Sequence, residues 1–117
     1  MKIRITLSAL LAILMLSAAC SRSTTISIEN RSSMSLESVV IKGSGFSHAM
    51  GRIAPQARET AAVVPTGESG LAISFIANGR RVDLPASGYF EGGGRYRVKV
   101  VVTPALAATV EAELRPY

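Results

Sequence analysis

Apolar and polar residues alternate with a period of two along much of this 117-residue chain, and this pattern constrains the fold more than any other feature. In residues 71–75 the apolar side chains fall at every second position, and residues 80–84 repeat the pattern after the pair Asn78-Gly79. An Asn-Gly pair readily adopts the two positive φ angles of a type I′ turn. The segment is therefore predicted to be a β-hairpin whose apolar face is buried.

Similar short runs recur along the rest of the sequence, separated by residues that favour turns. Val39-Val40-Ile41 is apolar on both faces, as expected for a strand that is covered on each side. Pro85 to Arg95 is predicted to be a long loop. The predicted strands lie at 25–29, 36–42, 46–53, 60–64, 71–75, 80–84, 96–102 and around 110–114.

Strands of this length and spacing, without helical periodicity, predict an all-β fold. We expect a small antiparallel β-sandwich of about seven to eight strands, immunoglobulin-like or transthyretin-like in architecture, over residues 26–117. About 100 residues suffice for one such domain and leave no room for a second.

The N-terminus has a different composition. Lys2 and Arg4 form a basic start, residues 5–19 are uncharged and mostly apolar, and Cys20 is the only cysteine. This order of charged, apolar and small residues is typical of a secretory signal. The apolar run is shorter than the roughly 20 residues that span a bilayer, which disfavours an uncleaved membrane anchor.

The end of this segment resembles the lipobox of bacterial lipoproteins, in which a signal peptidase cuts just before a cysteine that carries diacylglycerol on its sulfur. Small residues before the cysteine leave room for the peptidase and the lipid. Lipoboxes usually have Leu three places before the cysteine; here Ser occupies that place and Leu lies one step earlier, as the looser motif accepts. The matching residues are Leu16, Ser17, Ala18, Ala19 and Cys20.

The resemblance implies an address in the cell envelope. Residues 1–19 would be removed, Cys20 would be lipidated, and residues 20–25 would be that cysteine and a short tether to the domain. Because Ser21 rather than Asp follows the cysteine, the resemblance implies attachment to the outer membrane, facing the periplasm, if the host is Gram-negative. The alternative is ordinary secretion with Cys20 as a free thiol.

The charge excludes some partners. The formal net charge is +5, and Lys2 and Arg4 would leave with the signal. The remaining chain is only mildly cationic, well short of the clustered positive charge of nucleic-acid-binding proteins. We expect no nucleic-acid partner.

Arg95, Arg97 and Lys99 fall on one face of a predicted strand, where they could meet lipid phosphates, an anionic glycan or an acidic protein. If the last two strands pair with their valines on the core side, Lys99 lies opposite Glu111 and Arg97 opposite Glu113. Such pairs contribute about 0.2 to 1 kcal/mol each and cancel the local field. The alternatives are a self-neutralised solvent face and a ligand patch.

Tyr89 and Phe90 lie in the predicted loop between Gly88 and three further glycines. Two adjacent aromatic side chains cannot both point inward from an extended segment, so one is expected to be exposed and available for contact. The alternative is that one of them caps an open end of the sandwich while its neighbour covers the rim.

Few residues suggest catalysis. His48 is the only histidine, which favours a hydrogen-bonded structural residue, because a metal site needs several donors. No Gly-x-Ser-x-Gly motif occurs, and the acidic residues that could form a paired-carboxylate site lie in or beside predicted turns: Glu59, Glu68, Asp83 and Glu91. We therefore expect neither enzyme activity nor a cofactor.

These observations together predict a membrane-anchored, non-catalytic binding or adaptor protein of the cell envelope. Its partners would be the bilayer, through Cys20, and another envelope protein, contacted through a sheet edge or through Tyr89 and Phe90. The alternative is a structural or glycan-binding envelope protein that uses Arg95, Arg97 and Lys99 on an anionic polymer. An enzyme is the third and least favoured hypothesis.

Overall fold

A computed structural model describes residues 23–115, which form eight β-strands. The segment predicted to be a lipoprotein signal, with Cys20, lies outside the described residues. The strands are β1 (Thr24–Asn30), β2 (Leu36–Gly43), β3 (Phe46–Ile53), β4 (Arg58–Val63), β5 (Glu68–Ala77), β6 (Arg80–Glu91), β7 (Tyr96–Val102) and β8 (Ala108–Leu114).

The strands form two four-stranded sheets that pack as a β-sandwich, which confirms the predicted fold class. Sheet A has the order β4-β1-β7-β8, and sheet B has the order β3-β2-β5-β6. The prediction of an antiparallel sandwich needs one correction, because β1 and β7 are parallel. These two strands are far apart in the sequence and connected through sheet B, so no tight turn forces them to be antiparallel.

The core lies between the sheets and consists of the inward-facing residues of both. The rings of Phe46 and Phe90 meet in it, with centroids 6.3 Å apart. Burial of these apolar side chains is the main force that holds the sheets together. The buried apolar residues are Ile26, Ile28, Leu36, Val39, Ile41, Ile53, Val63, Leu71, Ile73, Phe75, Ala77, Phe90, Val98, Val100 and Val102.

Strand β6 corrects the predicted loop at 85–95 for its first seven residues, because β6 stays paired with β5 as far as the pair Glu91–Glu68. Residues 92–95 do form a connection, between β6 and β7. Two register shifts interrupt this pairing and accommodate Pro85 and Gly88 in the strand. Proline and glycine are tolerated at such bulges in edge strands, and β6 is an edge strand. Pro85 and Gly88, which suggest a loop in the sequence, therefore mark bends in a continuous strand.

Asn30 connects several segments at one end of the sandwich. It is fully buried, and its Nδ2 donates to the carbonyl oxygens of Met34 at 2.8 Å, Ile53 at 3.1 Å and Ala54 at 3.3 Å. Its Oδ1 accepts from Ser32, from Oγ at 2.7 Å and from the main-chain N at 3.0 Å. Asn30 is thus the last residue of β1 and a buried link to the β3–β4 connection.

We call the opposite end of the sandwich the N-terminal end, because the described chain enters β1 there. Strands β1 and β7 begin at this end, and β4 and β8 finish there, as the pairs Thr24–Val63 and Tyr96–Leu114 show. Strand β1 begins at Thr24, so the strand includes the last two residues of the predicted tether.

Candidate functional site

The outer face of β7 and β8 presents four charged side chains, Arg97, Lys99, Glu111 and Glu113; we call it the β7–β8 face. Lys99 lies opposite Glu111 and Arg97 opposite Glu113, which confirms the predicted register. All four side chains are exposed, while the alternate residues of β7 face the core. The period of two along β7 places the cations of this face side by side.

Two shallow depressions follow this face. One of about 270 Å³ is lined by the four charged residues themselves. The other, of about 300 Å³, extends it toward the end that holds Asn30. Its lining residues are Arg31, Lys99, Val101, Thr103, Thr109 and Glu111.

The opposite charges on the β7–β8 face do not form close ion pairs. Within residues 23–115 the ion pairs shorter than 4.0 Å lie elsewhere, and none joins β7 to β8. The prediction that these charges face one another is confirmed, and their charged groups lie more than 4.0 Å apart. The observed ion pairs are Arg31–Glu29, Arg58–Glu29, Arg52–Glu37 and Arg81–Asp83.

Arg95, the third cation of the predicted basic stripe, lies outside β7. It precedes β7, in the β6–β7 connection at the N-terminal end, where its side chain is exposed. Its carbonyl oxygen accepts a hydrogen bond from the main-chain N of Arg115 at 2.7 Å. Two of the three predicted cations, Arg97 and Lys99, therefore lie within β7, and the third directly precedes the strand.

Phe90 and Tyr89 occupy opposite sides of β6. Phe90 is fully buried against Phe46, so it is a core residue and not a contact residue. Tyr89 is half exposed, and its hydroxyl donates to the carboxylates of Glu91 and, at 3.3 Å, of Glu68. The prediction that one of the two aromatic side chains is exposed is confirmed, but both lie in a strand and not in a loop.

These carboxylates alter the chemistry of the phenol. The hydrogen bond to Glu91 raises the pKa of the Tyr89 hydroxyl well above its ordinary value of 10.0, and partial desolvation and the charge of Glu68 act in the same direction. A negative phenolate beside two carboxylates would be repelled, whereas the neutral phenol donates to them. Tyr89 therefore stays a neutral hydrogen-bond donor at ordinary pH.

His48 lies in edge strand β3 with its side chain exposed, not enclosed beside Phe46 as a structural histidine would be. Phe46 and Met50, two positions away on either side in the same strand, are half-buried. Within residues 23–115, no cluster of three or more His, Cys, Asp or Glu side chains is placed to hold a metal ion.

The sequence analysis did not predict an apolar depression of about 230 Å³, which lies where the β5–β6 side of sheet B meets β8. Gly88 lies at this junction with a positive φ of 75°, and a Cβ added there would lie 2.7 Å from Cγ1 of Val110. Pro85 and Gly88 are the sequence signals at this position, and by themselves they predict a loop. The depression is lined by Leu71, Ile73, Leu84, Pro85, Ser87, Ala107, Ala108 and Val110.

Comparison with known proteins supports the fold and does not extend to function. No protein-family model and no curated protein matches the sequence. The structure is similar to an NMR structure of a protein from Eubacterium rectale, with a TM-score of 0.55 and 11% sequence identity over 82% of this chain and 91% of that one. Identity this low shows a shared fold alone. Among the described residues, no helix has the length and apolar character needed to cross a membrane.

Proposed function

We propose that this protein is a lipid-anchored, non-catalytic binding module of a bacterial cell envelope that recruits another envelope protein through the β7–β8 face. The lipobox resemblance at Cys20 supplies the anchor, and Ser21 favours the periplasmic side of the outer membrane in a Gram-negative host. The observation that carries the recruitment proposal is the row of opposite charges on the β7–β8 face, which face one another without forming close ion pairs.

The anchor would join the fold with little slack. Only residues 21–23 separate Cys20 from the first residue of β1, and an extended chain spans at most about 3.3 to 3.6 Å per residue. Strand β1 lies inside sheet A, between β4 and β7. A lipid on Cys20 would therefore hold the sandwich within about 15 Å of the membrane surface by one of its central strands. This arrangement suits a module that presents a surface at a fixed height.

The mixed charge of the β7–β8 face favours a protein partner over an anionic polymer. Arg97 and Lys99 attract negative groups, but Glu111 and Glu113 lie directly opposite them and repel a uniformly negative chain. A protein surface with charges of both signs can match this row and gain specificity from it. Binding of an anionic polymer would instead require a face that presents Arg97 and Lys99 without neighbouring carboxylates.

Site-specific photocrosslinking in cells tests the proposal. A photoreactive residue at Thr109, which is exposed within the β7–β8 face, should crosslink one envelope protein. Arg97→Glu combined with Lys99→Glu should abolish this crosslink. The matched control is Arg80→Glu combined with Arg81→Glu, which changes the net charge equally at two exposed positions of sheet B and should preserve it.

The outcomes separate the alternatives. A crosslink that survives reversal of Arg97 and Lys99 would show that the β7–β8 face is not the contact surface. Equal loss in both double variants would indicate attraction by net charge alone. Retention on an anionic glycan that falls steeply with salt would favour the polymer-binding alternative.

A further inference from the structure

The exposed apolar side chains of the sandwich are unevenly distributed. Among the large apolar residues of the described chain, the three most exposed are Leu114 at 64%, Val64 at 55% and Tyr89 at 50%. Leu114 ends β8, Val64 directly follows β4, and Tyr89 lies near the end of β6. All three lie at the N-terminal end, whereas Met34 and Ile76, near the opposite end, are 38% and 37% exposed.

The three residues are spread over this end. Val64 and Leu114 follow or end the two edge strands of sheet A, and Tyr89 belongs to an edge strand of sheet B. They therefore belong to three different edges of the sandwich, and contact at all three would fix its tilt. Contact at one alone would leave it free to swing.

The position of the chain start indicates what covers this end. Thr24 begins β1 between the strands that carry Val64 and Leu114, and only residues 21–23 separate it from Cys20. If Cys20 is lipidated, the bilayer lies within reach of this end and of no other. Exposed apolar groups beside a membrane gain free energy by entering its interfacial region, and tyrosine is enriched there.

The charges at this end do not oppose such contact. Exposed Lys42 and Arg95 and half-buried Arg115 lie at the N-terminal end, with the acids Glu68 and Glu91. The two carboxylates accept hydrogen bonds from the Tyr89 hydroxyl. Cations and acids nearly balance, so the contact should be mainly apolar and depend little on salt.

We propose that the N-terminal end of the sandwich lies on the lipid surface, with Val64, Tyr89 and Leu114 at the level of the headgroups. This inference rests on the proposed lipidation of Cys20 and adds an orientation to it. The sandwich then stands upright, and the β7–β8 face runs away from the membrane, because β7 begins at the N-terminal end. The end that holds Asn30 and the Asn78-Gly79 hairpin faces away from the bilayer.

Depth-dependent fluorescence quenching tests the orientation. A lipidated Cys20 has no free thiol, and the chain has no other cysteine, so Val64→Cys or Leu114→Cys introduces a unique site for a fluorophore. The labelled full-length mature protein is placed in vesicles of phosphatidylethanolamine and phosphatidylglycerol that contain lipids brominated near the headgroup. Control labels at Arg80→Cys and Thr109→Cys report from the hairpin tip and from the β7–β8 face.

We expect quenching several-fold stronger at positions 64 and 114 than at position 80, and little changed by salt. Each variant should keep the wild-type unfolding midpoint, because all four positions are exposed. Equal quenching at 64, 114 and 80, in protein whose mass shows an acylated Cys20, would overturn the orientation alone. An unmodified Cys20 in protein that does not sediment with vesicles would overturn the proposed function together with it.

A second copy of the chain is the other conceivable cover for this end. Self-association would make the fluorescence of a label at position 64 depend on protein concentration in detergent. In vesicles, the same label would not be quenched by brominated lipid. That result would also overturn the orientation.

Discussion

Ser32 donates a hydrogen bond from its Oγ to Oδ1 of Asn30 over 2.7 Å, and this bond is buried. It fixes the side-chain amide so that Nδ2 faces the carbonyl oxygens of Met34, Ile53 and Ala54. One side chain thus ties the end of β1 to the β1–β2 and β3–β4 connections. Because these connections cross between the sheets, the network closes the end of the sandwich opposite the N-terminal end.

Asn30→Ala should lower the free energy of unfolding by about 3 kcal/mol, because buried carbonyl groups and the Ser32 hydroxyl would lose their partner at about 1 to 3 kcal/mol each, with partial relaxation. Urea unfolding followed by circular dichroism measures this. Ser33→Ala, at an exposed position of the same connection, should change the unfolding free energy by less than about 0.5 kcal/mol. Equal effects of the two substitutions would contradict the role of Asn30.

Gly88→Ala should destabilise the sandwich more than Gly79→Ala. Both residues have positive φ angles, 75° and 72°, so each substitution carries a similar backbone strain of about 1 kcal/mol. Only the Cβ at position 88 would also collide with Val110, whereas nothing lies within 4 Å at position 79. Thermal unfolding of the two variants gives the comparison, and a Gly79→Ala variant as unstable as Gly88→Ala would refute the close approach of β6 to β8.

Phe90→Ala should cost about 3 to 5 kcal/mol, as expected for a fully buried aromatic residue. Tyr89→Ala should cost far less, because the ring is half exposed. Chemical denaturation distinguishes them. A contact between Tyr89 and another molecule should therefore be tested by substituting Tyr89 alone. A double variant that also lacks the Phe90 ring would lose its fold. A stable Phe90→Ala protein would contradict the placement of this residue in the core.

Tyr89 should ionise at unusually high pH. Its hydrogen bond to Glu91, aided by desolvation and the charge of Glu68, raises the pKa of the phenol in the folded protein. Because the folded-state pKa exceeds the unfolded value of 10.0, this interaction contributes to stability in full below pH 10 and is lost as the pH rises through the raised pKa. Ultraviolet absorbance follows phenolate formation.

Tyr89→Phe should remove an absorbance component that titrates well above pH 10, and Glu91→Gln should shift that component to lower pH. A titration of the folded protein in which Tyr89→Phe instead removes a component near the ordinary value of 10.0 would show that the hydrogen bond to Glu91 is not formed in solution.

Local patterns predicted much of the fold. Asn78 and Gly79 have the positive φ angles that their turn requires, and the β7–β8 register follows from alternating valines and opposed charges. Both hairpins are set by residues close in the sequence. The parallel pairing of β1 with β7 could not be predicted, because it depends on how distant segments pack and no local turn encodes it.

The surroundings of Tyr89, Phe90 and Asn30 were harder to predict, because they too depend on contacts between distant segments. Phe90 and Tyr89 were correctly expected to differ in exposure, but the bends that keep β6 paired depend on β5, so the strand resembled a loop. Asn30 is a residue type that favours turns. Its buried role depends on three carbonyl groups that only the folded chain brings around it. The lipobox resemblance, in contrast, rests on contiguous residues, and predicting it requires no knowledge of the fold.

The anchor at Cys20 is the central claim, and intact-mass measurement of the protein purified from membranes, beside a Cys20→Ser variant, tests it most directly. The account predicts that the wild-type chain lacks residues 1–19, carries the added mass of acyl chains at its N-terminus and sediments with membranes. It predicts that the variant keeps its signal segment and gains no lipid mass. A wild-type protein of unmodified mass that remains in the soluble fraction would contradict the account.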